Sequence, residues 1–183
     1  PEPLATSEIN PPEIEGLREV YCNNEIVTFK ISSPVENADY NWLFADGSTF
    51  RGNQIRKRMS QIGTSSFEVT VAENGKEYLF EYEPFEVVDN PDIDFTSYPD
   101  RNPRDPSINF NLRANLPCVV FWRFGDGKTS NKQEPRHRYT VKGIYQVTAI
   151  AKSEFGCIDS VRRMVRVHKA YNLMASSVFD PSK

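Results

Sequence analysis

The chain has 183 residues and a net charge of −3; 26% are charged and 38% hydrophobic, so it can bury a core and is not a disordered tail. Acids and bases are interspersed, and the densest basic run, Arg56-Lys57-Arg58, reads as solvated surface, which excludes an electrostatic face for nucleic acid. No stretch approaches the ~18 apolar residues of a membrane helix, and Pro1-Glu2-Pro3 opens the chain without the basic and apolar regions of a signal peptide.

In chain order, residues 1–12, with Pro1, Pro3, Pro11 and Pro12, are expected to form an extended lead-in. Ile26–Ile31 is β-rich and partly alternating. In Tyr40-Asn41-Trp42-Leu43-Phe44 the period of two places Trp42 and Phe44 on one face of a strand, and Asp46-Gly47 then supplies a hairpin turn. Asn74-Gly75 marks a second hairpin before a final strand over Lys76–Val88. A polar stretch, Val88-Asp89-Asn90-Pro91-Asp92, gives the expected boundary. The same order then returns: Ser107–Leu112, Phe121-Trp122-Arg123-Phe124, Asp126-Gly127, Tyr145–Ala149, Phe155-Gly156, and a last strand over Cys157–His168. No segment holds a 3.6-residue period over ten residues, so little helix is expected.

The return is a repeat. Trp42 and Trp122 lie 80 residues apart, as do Phe44 and Phe124, Gly47 and Gly127, and Gly63 and Gly143. Phe67-Glu68-Val69-Thr70-Val71 echoes Tyr145-Gln146-Val147-Thr148-Ala149, with two extra residues in the first copy. The expected architecture is all-β: two tandem immunoglobulin-like sandwiches over 13–88 and 89–169, with 170–183 opening a following segment of a larger protein.

Trp122-Arg123-Phe124-Gly125-Asp126-Gly127, followed by Ser130, Pro135, His137, Tyr139, Gly143, Tyr145 and Val147-Thr148, resembles the signature of the polycystic-kidney-disease (PKD) domain. The first copy departs from it: Ala45 stands for the first glycine, and Ile55-Arg56-Lys57-Arg58-Met59 replaces the Pro-x-His-x-Tyr element. Ala45 therefore implies a shifted turn, because a side chain at positive φ costs about 1 kcal/mol. The residues read as structural. Trp42, Phe44, Trp122 and Phe124 fill a core. Gly47, Gly125, Gly127 and Gly143 shape turns, and Asp46 and Asp126 stabilise them rather than serving as acids or calcium ligands. His137, Tyr139 and Tyr145 pack. Ala170–Pro181 resembles the opening of the domain that follows PKD repeats in gliding-motility and type IX secretion cargo, which implies export to the surface of a Gram-negative bacterium.

In an immunoglobulin-like sandwich the start of the Trp122 strand lies near the end of its neighbour, so a Cys118–Cys157 disulfide is expected. It would close a loop of about 40 residues and contribute on the order of 3–4 kcal/mol. Cys22 is then a free thiol. No catalytic constellation and no zinc spacing occurs. Asp89, Asp92, Asp94 and Asp100 cluster at the boundary and are candidate calcium ligands, although a solvated linker explains them as well. No other cofactor is expected. Tyr78, Phe80, Tyr82 and Phe85 are candidates for a sugar-binding row.

Three readings of function stay open: a spacer or adhesive module that meets protein or glycan partners, an accessory carbohydrate-binding module of a secreted degradative enzyme, and a docking domain of a cell-envelope machine. The piece itself is expected to be monomeric and non-catalytic.

Overall fold

The computed structural model describes residues 10–101 and 105–168. Most of the lead-in and all of the terminal segment 170–183, including the residues behind the secretion-cargo resemblance, lie outside the described residues. The chain divides between Asn90 and Pro91 into two compact units. Every regular element among the described residues is a strand.

The first unit holds β1 (Ile14–Glu15), β2 (Val20–Cys22), β3 (Ile26–Ile31), β4 (Asp39–Phe44), β5 (Thr49–Arg51), β6 (Gln54–Arg58), β7 (Gly63–Ser65), β8 (Phe67–Glu73), β9 (Lys76–Glu81) and β10 (Phe85–Val88). Its sheets run β1-β3-β6, β5-β4-β8-β9 and β2-β10-β7. In β3, β4 and β8 the alternation read from the sequence is the alternation of burial. Val27, Phe29 and Ile31 face Tyr40, Trp42 and Phe44 and Phe67, Val69 and Val71 in one core. Phe29 lies 6.2 Å from Trp42 and 5.6 Å from Phe67, ring centre to ring centre. Each such buried side chain contributes about 2 to 3 kcal/mol of transfer free energy.

The second unit holds β11 (Ile93–Pro99), β12 (Ser107–Ala114), β13 (Cys118–Arg123), β14 (Thr129–Ser130), β15 (Arg136–Arg138), β16 (Gly143–Ser153) and β17 (Ile158–Val167). The sheets β11-β12-β15 and β14-β13-β16-β17 close on Phe95, Phe110, Trp122, Phe124, Tyr139 and Val147. Trp122 meets Phe110 at 5.5 Å. In both units the indole N–H donates at 2.9 Å to a backbone carbonyl ten residues on, Gly52 or Lys132.

The two extra residues expected in the first copy do not exist. Trp42 lies opposite Val69 and Trp122 opposite Ala149, so the offset of 80 runs unbroken through β8 and β16. Phe67 therefore stands where Val147 stands, and Ser65 where Tyr145 does. What differs is continuity. β16 and β17 are unbroken strands of 11 and 10 residues. Their counterparts are interrupted, at Ser66 and at Tyr82–Pro84. Pro84 has no N–H to give the ladder, which forces the second break.

Candidate functional site

The paired aspartates are the best-built polar feature in each unit. After β4, Asp46 Oδ1 accepts from the backbone N–H of Ser48 at 3.0 Å; after β13, Asp126 Oδ1 accepts from that of Lys128 at 3.1 Å. The other carboxylate oxygen turns toward the opposite sheet. Asp46 Oδ2 accepts from the Lys57 ammonium of β6, and Asp126 Oδ2 lies 2.8 Å from His137 Nε2 of β15. In each unit the basic residue follows its aspartate by 11 positions and rests on the aromatic ring two residues before it. Lys57 Nζ lies 5.1 Å from the centre of the Phe44 ring. The His137 ring stacks on Phe124 at 3.9 Å with 3° between planes.

The sequence placed Lys57 on the solvated surface, and the structure corrects this. Lys57 is only 7% exposed, because it shares a face of β6 with Ile55, and the buried Met59 follows directly after the strand. The missed signal was the repeat itself, which sets Lys57 at the position of His137.

Burial alone would raise the Asp46 carboxyl, but hydrogen bonds from Lys57 and Ser48 outweigh it and hold the group at about 2. Burial likewise opposes the shift of Asp126, and His137 with the Lys128 N–H brings it below the ordinary carboxylate value. A His–Asp pair can serve general base chemistry. Here the imidazole is 7% exposed, stacked on Phe124 with its Nε2 turned to Asp126. Each pair clamps a turn to the facing sheet. Tyr139 completes the second clamp by donating to the Phe124 carbonyl at 3.0 Å, and burial pushes its phenol up.

Of the candidate sugar-binding rings, Phe80 and Phe85 are core residues, and Tyr78 and Tyr82 are half-buried against that core. Tyr82 stacks on Phe67 at 4.9 Å and donates to the Pro12 carbonyl at 2.6 Å; burial pushes its phenol up to about 12. The face that Tyr78, Phe80 and Tyr82 share is thus the inward one, and no flat exposed row remains.

The four boundary acids are not gathered. Asp94 holds Arg163 at 2.6 Å and accepts from the Phe95 N–H at 2.8 Å, and Asp100 pairs with Arg136 at 2.9 Å. Asp89 accepts from the Asn90 N–H at 2.9 Å, while the backbone N–H of Asp92 donates to Asn115 at 2.7 Å. Among the described residues no group of three His, Cys, Asp or Glu is placed to hold a metal ion.

The expected Cys118–Cys157 disulfide is not formed. Cys22 and Cys157 are the disulfide-bonded cysteines, and Cys118 is the free one. The reason is strand order. Cys118 lies opposite Ser153 of β16, and Cys157 lies across from that same serine on the far side. Two strand spacings of ~4.8 Å separate their backbones, beyond the ~7 Å a disulfide spans. Alkylation of the denatured, unreduced chain should label one thiol, at Cys118; labelling at Cys22 or Cys157 would refute the assignment.

Residues 91–168 match the family model of the PKD domain. No curated protein matches the chain. Among solved structures, the PKD1 domain of Vibrio anguillarum Epp is 23% identical over 43% of this chain and 93% of that one, with a TM-score of 0.38. The PKD1 domain of the Vibrio cholerae metalloprotease PrtV is 24% identical over 44% of this chain and 99% of that one, with a TM-score of 0.39. The amphioxus IgVJ-C2 molecule aligns with 81% of this chain and 99% of its own, at 14% identity and a TM-score of 0.37. The family model runs through every described strand of the second unit, from Ile93 to Val167, and that unit is a PKD domain.

Proposed function

We propose that the chain is a non-catalytic extracellular module, a spacer or adhesive element in a larger exported bacterial surface protein. The observation that carries this reading is the fate of the acid–base pairs. Asp46–Lys57 and Asp126–His137 are the groups best suited to chemistry, and each is used up in holding a turn against the opposite sheet. The cores are filled with packed aromatic rings; two surface grooves lie on outer sheet faces, and a third runs along the Ala45–Gly47 turn beside Ser66 and Tyr82. Disulfide-bonded Cys22 and Cys157 fit an oxidising compartment.

Nothing in the placement of Tyr78, Phe80, Tyr82 and Phe85 favours the accessory sugar-binding reading. The test is a panel of glycosidase, peptidase and esterase substrates with the purified oxidised chain. No turnover above buffer is expected. Turnover abolished by His137→Ala or Asp126→Asn would overturn the proposal.

A further inference from the structure

The core dictates only the inward residues of each sheet; the outward ones are free to diverge, and in the two units they have diverged to opposite charge. On the outer face of β5-β4-β8-β9 stand Asp39, Glu68, Glu77 and Glu81, with Arg51 as the one base. On the outer face of β14-β13-β16-β17 stand Arg123, Lys152, Arg162 and Arg166, and no acid. The sheet register makes the comparison position by position. The row Leu43–Glu68–Glu81 in the first unit is the row Arg123–Thr148–Arg162 in the second.

Among the described residues none of these four acids and none of these four bases is in an ion pair. Glu68 sits directly opposite Glu81, an arrangement that destabilises an isolated sheet. Both faces also expose aliphatic side chains: Leu43 and Leu79 on the acidic face, and Val119, Ile144, Ile158 and Met164 on the basic one, with Val119 at 70% exposure. Charge of one sign interleaved with exposed aliphatic groups is the composition of a protein-docking face.

We infer that the acidic sheet face of the first unit docks on the basic sheet face of the second unit of another copy of this chain. The occupant is set by complementarity: the two faces carry opposite net charge, and Coulomb repulsion within each face is relieved by the other. Four strands at ~4.8 Å spacing and about six residues at ~3.3 Å give roughly 400 Å² per face. One contact thus buries roughly 800 Å² in total. A pair that makes the contact twice buries about 1,600 Å², the size of a specific interface. Because the patches differ, association closes as a reciprocal dimer or propagates head to tail. Such assembly replaces the monomer expected from the sequence, and it stands independently of the spacer reading.

Sedimentation of the oxidised Cys118→Ser chain, so that no free thiol links copies, tests this at about 100 μM and low salt. Dimers or larger species are expected, with affinity falling at least tenfold toward 0.5 M salt as the charges are screened. The variants Glu68→Lys/Glu81→Lys and Arg123→Glu/Arg162→Glu should each be monomeric alone and should associate when mixed. A monomer throughout, association unaffected by either variant, or a mixture that stays monomeric overturns the inference. So does a monomeric chain whose basic face is retained on a sulfated-polysaccharide column, which would assign that face to a polyanion.

Discussion

Gly125→Ala should destabilise the second unit by about 3 kcal/mol and lower its midpoint by roughly 15 °C. Two independent terms add. Gly125 has φ +83°, where a side chain costs about 1 kcal/mol. A Cβ there would also stand 2.7 Å from the Gln146 carbonyl oxygen and 3.1 Å from its nitrogen. Both atoms belong to the backbone of β16, which pairs with β13 on one side and β17 on the other, so it cannot yield without moving a sheet. Gly127 is the internal control. It has φ +88° but nothing within 4 Å of its Cβ position, so Gly127→Ala should lose only about 1 kcal/mol. Hydrogen exchange of the β13 and β16 amides reads the second unit separately from the first. Equal losses in the two variants would show that the contact with Gln146 does not constrain the turn.

The first unit shows how the clash is avoided. Ala45 occupies the equivalent position but is not among the residues with positive φ. The turn is reorganised as its alanine implied, yet it keeps the bonds that matter. Phe44 N–H donates to the Ser48 carbonyl as Phe124 N–H does to that of Lys128. Alternation, the Trp-x-Phe pairs and the offset of 80 were enough to read strands, core and tandem plan, because each is imposed locally by the pleat and the turn. The hairpin at Asn74-Gly75, with φ of 50° and 76°, was legible for the same reason.

What was not legible depends on partners distant in sequence. Alternation placed Tyr78, Phe80 and Tyr82 on one face but could not say which face looks inward; that is decided by Phe67 and Val69 on β8. The cysteine expectation failed because it needed strand order, and β16 lies between Cys118 and Cys157. Asp94 and Asp100 read as a cluster only while Arg163 and Arg136 were out of view. Lys57 was concealed by Arg56 and Arg58, whose charges point outward on the same strand.

Asp46→Asn should cost the first unit about 3 kcal/mol, and Lys57→Met no more than about 1 kcal/mol. The asymmetry follows from which charge is stranded. With Asn at position 46, the Lys57 ammonium, with a side chain 8% exposed, keeps a neutral amide oxygen and the face of the Phe44 ring but no opposite charge, and an uncompensated buried cation is severely destabilising. Without Lys57, the carboxylate keeps its Ser48 donors, and at 23% exposure it still meets water. The double variant should therefore match Lys57→Met alone, a coupling that independent sites would not give.

Acid titration reads the same pair by another route. The folded-state value of about 2 lies below the ordinary 3.8, so the carboxylate's contribution is complete above about pH 4 and is lost as pH falls toward 2. Asp46→Asn should flatten that limb of the stability profile for the first unit. Asp126, also held low, keeps the second unit's acid loss intact. If Lys57→Met is as damaging as Asp46→Asn, or if the acid limb survives in Asp46→Asn, then the buried ammonium does not depend on Asp46 and the turn is held by Ser48 alone.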